Sequence, residues 1–339
     1  MSQRPKKLIF PLILTTCITL VICLTSCGIF NGDSTKKYTK TDFLLDTVVS
    51  VTVYDEAHTG TIDECLALCA RYEKIFSRTD PESELYALNE AGCMEVSGEL
   101  LDVIKTALGY CELSGGRFDI TMGKVSDMYG FSSGSPSLPT AEAISEALSH
   151  TGYEKIVVDG STVTLTDPEA VIDLGAIAKG YIADRLAEML VERGVQSAII
   201  DLGGNILCVG AKPDGSQFKV GIQYPLRDSS TVITTANLSG MSVVTSGVYQ
   251  RYFEEGGKTY HHILDPETGY SINNGLVSVS IISSRSVDCD ALSTTAFALG
   301  LEEGMALIDS LEGVWAVFVT EDMQVHYSEG FEAEFLPNN

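Results

Sequence analysis

The sequence predicts an α+β protein: mixed, largely antiparallel sheets with helices packed on them, built as one elaborate domain or as two lobes. Three observations carry this. Runs rich in Val, Ile and Thr alternate with the period of a strand, and other stretches carry helical spacing. Both kinds begin early and recur to the end of the 339 residues, with no internal repeat. About 310 residues remain after the N-terminal leader described below, enough to bury a large core.

The elements follow in order. The stretch 43–54 alternates and is rich in Val and Thr, so it reads as a strand, whereas 61–76 and 99–113 carry helical spacing. A Ser/Gly/Pro loop at 132–139 precedes a helix at 140–149 that Thr140 opens as a capping hydroxyl. The stretch 155–166 reads as a hairpin turning at Asp159 and Gly160. A strand at 171–174, a helix at 176–193 stopped by Gly194 and a strand at 197–202 come next. Strands at 218–224, 231–236, 241–246, 276–283 and 314–320, with helices at 291–298 and 302–309, complete the chain.

The first residues say where the protein works. Arg4, Lys6 and Lys7 precede an apolar run at 8–24 that ends in Leu24, Thr25, Ser26, Cys27 and Gly28. That is a secretory signal over 1–26, and Leu-Thr-Ser-Cys-Gly resembles a bacterial lipobox in which Cys27 is acylated and becomes the new N-terminus. A transmembrane anchor is the competing reading, but the run is at the short limit for spanning and hydroxyl residues dilute it. Residues 27–41 read as a lipidated, polar tether carrying Lys36, Lys37 and Lys40. The expected location is the cell envelope, on the extracytoplasmic face of the cytoplasmic membrane, or the periplasm where an outer membrane exists.

A net charge of −24 makes nucleic acid an unlikely partner and leaves membrane attachment to the lipid alone. Of nine cysteines, Cys17 and Cys23 leave with the leader. Cys65 and Cys69 share a helical face but lack partners at zinc-site spacing, and most of the remaining six read as small buried hydrophobes.

Several segments carry chemistry-bearing residues, each with a plainer structural explanation beside it. His261 and His262, two of five histidines, precede an Asp-Pro-Glu-Thr-Gly turn. Histidine titrates nearest neutrality, and a turn would hold it at the mouth of a site; a hydrogen-bonded surface pair is the alternative. SGGRFDITMG offers glycines for close approach with Arg117 and Asp119 beside Phe118, or merely a tight turn. VIDLGAIAKGY places Asp173 at a strand end and Lys179 on the first helical turn, where amides and a cation can face an anion. It is not a Walker loop, because the GxxxxGK spacing is missing. DLGGN and VTSG suit either ligand contact or turns. Asp290 and Thr294, four apart, share a helical face whose oxygens suit Mg2+; N-capping by Asp290 explains the same pattern.

In one order, SGGRFDITMG, IDLGAIAKGY, DLGGNI, VTSG, HHILDPETGY and DCDALSTTAFALG stand where the ApbE family, the FAD:protein FMN transferases of bacterial cell envelopes, has its motifs. The chain resembles that family from residue 43 to about residue 330. The resemblance implies an ApbE-like, T-fold-like domain over 42–335 with an FAD cleft. It implies Mg2+-dependent transfer of FMN from FAD to a Thr or Ser hydroxyl of a partner flavoprotein, releasing AMP. Carried over, Asp290, Thr294 and the main-chain oxygen of Ala176 hold Mg2+. Leu45, Arg117, Phe118, Asp119, Asp173 and Lys179 contact FAD, with Ile263 and Leu264 along its flavin or phosphate side. His262 becomes the base on the acceptor hydroxyl, with Asp265 as orienter or turn former. Leu45 and Thr47 flank Asp46, which stands where the family's Met-Gly-Thr motif has glycine, and Thr79 stands where an aromatic often covers the dinucleotide. An FAD pyrophosphatase giving FMN and AMP, or a non-catalytic FAD-binding lipoprotein, would use the same cleft.

Overall fold

The computed structural model describes residues 36–131, 135–225 and 231–336. The expected leader at 1–26, Cys27 and most of the expected tether lie outside them. The tether ends sooner than expected, because β1 (Tyr38–Leu44) pairs antiparallel with β2 (Thr47–Val53). Thr39 and Thr52 hydroxyls meet across this hairpin at 2.8 Å and Thr41 and Ser50 at 3.2 Å, so the polar residues read as linker are cross-strand partners. The single strand expected at 43–54 is interrupted for the same reason. Leu45 and Asp46 both take φ of 55°, the backbone of a two-residue type I′ turn, and the Leu45 amide donates to Glu73 Oε1 at 2.8 Å.

After the hairpin come α1 (Thr59–Phe76), α2 (Glu84–Ala91), β3 (Cys93–Glu95), α3 (Gly98–Leu113), α4 (Gly123–Tyr129) and α5 (Ala141–Ser149). The Thr140 side chain accepts from the Ala143 amide, as its capping role predicts. β4 (Ile156–Asp159) and β5 (Thr162–Leu165) form the expected hairpin, and β3 joins β5 at its other edge. The strand expected at 171–174 has no ladder: its one bridge is Met122 to Val171. Instead the Asn89 side chain pairs with both backbone groups of Ile172, donating to its carbonyl at 3.0 Å and accepting from its amide at 2.9 Å. A side-chain amide thus takes the place of a neighbouring strand.

The remaining elements are α6 (Ala178–Glu192), β6 (Ser197–Leu202), β7 (Asn205–Gly210), β8 (Phe218–Gln223), β9 (Val232–Leu238), β10 (Ser242–Gly247), β11 (Tyr252–Glu255), β12 (Lys258–His261), β13 (Leu276–Ser283), α7 (Ser286–Asp309), β14 (Val314–Thr320), β15 (Val325–Tyr327) and α8 (Phe331–Phe335). The two helices expected near the C-terminus are one element broken at Gly300, whose φ of 84° and ψ of −179° no helix contains.

Among the described residues the main sheet has eight strands, ordered β1-β2-β6-β7-β10-β13-β14-β15, and each pairing is antiparallel. Its central strands are covered on both faces. Val244, Ile281, Ala316 and Phe318 pack with the α7 residues Leu292, Ala296 and Phe297. The adjoining Val243, Ile282 and Val317 point the other way, into Phe218, Leu238 and Phe331. A sheet buried on both sides needs apolar residues at consecutive positions, which is why β14 reads as a nearly unbroken hydrophobic run, while β13 intersperses the buried Ser278, Ser280 and Ser283. At the other end Val49, Val51 and Val53 bury against α1 and α6. From Lys37 onward the chain is one compact unit, so of the two expected arrangements the single domain is the one adopted.

Candidate active site

A glycine brings α6 and α7 together. A Cβ on Gly180 would lie 2.4 Å from the Ser286 carbonyl oxygen and 2.7 Å from Asp290 Cβ, so any other residue would force the helices apart. With no side chain in the way, the Gly180 amide donates to Asp290 Oδ2 at 2.8 Å. It does not turn back to the Ala176 carbonyl, which accepts no backbone hydrogen bond among the described residues. One turn along α6, the Asp184 carboxylate accepts from the Ser286 amide at 2.7 Å and the Val287 amide at 3.0 Å, capping α7 from a neighbouring helix. Burial pushes the Asp184 carboxyl up to about 6, against the pull of those two amides.

The start of α7 therefore holds Asp290, itself 5% exposed, against the turn that carries Ala176. Thr294 follows one helical turn later, its hydroxyl 3.1 Å from that of Ser246 on β10. The Ala176 carbonyl, the Asp290 carboxylate and the Thr294 hydroxyl are hard oxygen donors with no histidine or cysteine among them. Oxygen donors of that kind suit Mg2+ and not zinc.

Asp173 sits ahead of this turn. Its Oδ1 accepts from the Gly175 amide at 2.8 Å and its Oδ2 from Arg78 Nε at 2.8 Å, while Arg78 also pairs with Asp127. Asp173 and Asp127 together hold the mostly buried guanidinium above its ordinary pKa despite the desolvation that opposes them. Lys179 donates to the Gly175 carbonyl at 3.3 Å.

The histidine pair divides its labour as a strand geometry requires. His261 is buried; its Nε2 donates to the Ile272 carbonyl at 2.9 Å and its amide to Ser271 Oγ at 2.8 Å. His262 is partly exposed, with its amide on the Arg251 carbonyl at 3.1 Å and its Nδ1 on the same oxygen at 3.3 Å. A carbonyl only accepts, so Nδ1 carries the proton and Nε2 keeps its lone pair. Burial first, then the charges of Arg251, His261 and Lys179, pushes the His262 pKa down to about 3. His262 is thus neutral near pH 7. Ile263 is buried and its carbonyl accepts from the Ile272 amide at 3.0 Å, while Leu264 bridges to Ser271. Asp265 forms the turn, accepting from the Glu267 amide at 2.9 Å.

The other segments singled out from the sequence lie in different surroundings. The Phe118 ring is core, edge-on to Tyr110. Both Asp119 oxygens are spent on the fold: one accepts from the Thr121 amide at 2.7 Å and its hydroxyl at 2.6 Å, the other from the Tyr153 amide at 2.9 Å. Arg117 reaches Asp265 at 3.5 Å and Glu267 at 3.4 Å, so the GGRFD segment borders the histidine loop. Arg117 and Asp265 edge a cavity of about 400 Å³ that Ser271, Asn274 and Glu303 also line. Leu45 stands on its own hairpin, anchored by Glu73. The DLGGN turn supports that hairpin, since a Cβ on Gly203 (φ 67°) would fall 2.0 Å from the Thr47 hydroxyl oxygen. Gly180, Asp184, Arg78 and Asn89 went unnoticed in the sequence. Their partners are 49 to 110 residues away, and no local pattern announces them.

Hard oxygen donors, a lysine and a neutral histidine on an α+β scaffold describe a transferase that handles phosphate groups. The chain belongs to the ApbE family, whose model matches residues 45–318. The FAD:protein FMN transferase of Klebsiella pneumoniae (strain 342) is 35% identical over 285 residues, covering 81% of this chain and 88% of that protein. The protein of the same name from Treponema pallidum (strain Nichols) is 33% identical, covering 92% of this chain and 93% of its own length. Among solved structures, the ApbE protein of Thermotoga maritima superposes with a TM-score of 0.82 at 32% identity, covering 88% of this chain and 99% of that one.

Proposed function

We propose that this chain is an FAD:protein FMN transferase that moves FMN from FAD to a Thr or Ser hydroxyl of a partner flavoprotein, with Mg2+ required and AMP released. The observation that supports the reading is the joint between α6 and α7, where the Gly180 amide meets Asp290 and leaves the Ala176 carbonyl open, with Thr294 one turn further along α7. Mg2+ bound there would offset the negative charge of the pyrophosphate. Lys179 stabilises charge that develops on the phosphoryl oxygens, and His262 Nε2 takes the proton of the acceptor hydroxyl. The acceptor oxygen bonds to the FMN phosphorus, the bond from that phosphorus to the oxygen bridging to AMP breaks, and AMP leaves with that oxygen. Protein, FAD, Mg2+ and a candidate acceptor incubated together should yield acceptor heavier by covalently bound FMN together with AMP. Free FMN and AMP with no gain in acceptor mass would indicate hydrolysis instead, and no AMP at all would leave only a binder.

Attachment through a lipid on Cys27 belongs to the same reading and is supported by the Leu-Thr-Ser-Cys-Gly sequence after the apolar run. It would set the domain at the extracytoplasmic face of the cytoplasmic membrane, or in the periplasm where an outer membrane exists. Cys27→Ala should remove lipid labelling and move the protein out of the membrane fraction. Unchanged labelling would exclude Cys27 as the acylation site.

A further inference from the structure

We propose that Ser246 is a positioning residue that aims the Thr294 hydroxyl at the cation. The proposal rests on the Mg2+ reading above and extends it to a residue with no ligand role of its own.

Three hydroxyls and one carbonyl form a chain between β10 and α7. Ser293 Oγ lies 2.9 Å from the Asp290 carbonyl oxygen, Ser246 Oγ lies 2.8 Å from Ser293 Oγ, and Thr294 Oγ1 lies 3.1 Å from Ser246 Oγ. A carbonyl oxygen only accepts, so the single Ser293 proton goes to Asp290. Ser293 must then accept from Ser246, whose one proton is thereby used, and Ser246 must accept from Thr294. Every proton in the chain points away from the Thr294 oxygen, leaving both of its lone pairs for a cation.

The neighbouring residue shows what Thr294 would otherwise do. Thr295 donates back to the Ala291 carbonyl one turn earlier at 2.9 Å, the usual habit of a helical threonine. For Thr294 the equivalent carbonyl is that of Asp290, which Ser293 already occupies. Without Ser246 the Thr294 proton would have no fixed acceptor, and the hydroxyl would turn freely between aiming a lone pair and aiming a proton at the metal. The chain also ties the two ligand residues together, because it begins at the Thr294 side chain and ends on the Asp290 backbone. Outer partners of this kind orient metal ligands, and losing one costs about 10- to 100-fold in affinity.

The test uses Mn2+ as the probe, titrated into the protein with FAD bound and followed by electron paramagnetic resonance. Ser246→Ala should weaken Mn2+ binding about tenfold, and Ser246→Thr, which keeps the hydroxyl, should bind within about threefold of the parent. Introduced into a Thr294→Val background, Ser246→Ala should add no further loss, since its effect passes through Thr294. Binding within twofold of the parent in Ser246→Ala, or a full additional loss in the Thr294→Val background, overturns the proposal. Thermal melts check that each variant folds, and Ser246→Cys serves if alanine lowers the melting temperature. Asp290→Asn in the same titration separates the two claims: undiminished Mn2+ binding there would overturn the cation site itself, whereas loss there with Ser246→Ala intact removes only the role of Ser246.

Discussion

Asp290→Asn should slow FMN transfer by about 100- to 1000-fold while leaving the fold intact. The carboxylate is the one charged group among the three oxygen donors, and a metal's contribution to stabilising phosphoryl charge is several kcal/mol, each 1.36 kcal/mol being tenfold in rate. Asparagine retains an oxygen that can accept from the Gly180 amide, so the contact at 2.8 Å that joins α6 to α7 survives and the loss is one of charge. Covalent FMN on an acceptor, measured by mass over time at several Mg2+ concentrations, reads the effect. A rate within tenfold of the parent with the same Mg2+ dependence would remove Asp290 from the cation site.

His262→Ala should lower the transfer rate by about 100- to 10,000-fold with little change in FAD affinity, the range for loss of a general base. His262 is already unprotonated at its Nε2, and its pKa of about 3 means that no histidine inflection is expected in the rate between about pH 5 and pH 8. The same depression bears on stability. Below about pH 6.5 the unfolded chain takes up a proton on this histidine and the folded one refuses it, so this share of stability is present above pH 6.5 and is lost as pH falls toward 3. A measured fall in FAD affinity that matched the fall in rate would make His262 a binding residue and not a base.

Much of the α+β plan was legible because periodic burial leaves a mark in the sequence. The helices at 61–76 and 99–113 face the core at helical spacing, and Thr140 announces its helix with a local hydrogen bond. The failures share a cause. Leu45 and Asp46 make a turn with neither glycine nor asparagine, so nothing in that stretch signals positive φ. The stretch 171–174 has the composition of a strand, yet it pairs through one bridge to Met122, the Asp173 amide on the Ile120 carbonyl and the side chain of Asn89, 83 residues earlier, with no ladder. The candidate site divides the same way. Asp290, Thr294 and Lys179 lie within motifs that are ordered along the chain, whereas Gly180's role is set by how closely two helices approach. Phe118 and Asp119 stand in a motif that fits a ligand, but their side chains are spent on the core and on backbone amides.

The Asn89 clamp gives the site an exchange behaviour of its own. Residues 171–177, which carry Asp173 and Ala176, are joined to the described structure by one bridge, the Asp173 amide on the Ile120 carbonyl, the Asn89 and Arg78 side chains and the turn into α6, not by a continuous ladder. Such a segment opens as a small cooperative unit, below the energy needed to separate the eight-stranded sheet. Its amides would therefore trade hydrogen for deuterium sooner than those of β6 or β13, and a ligand held by Ala176 would slow that trade selectively. Occupancy of the site thus becomes readable from one short peptide of the chain, without following the chemistry at all.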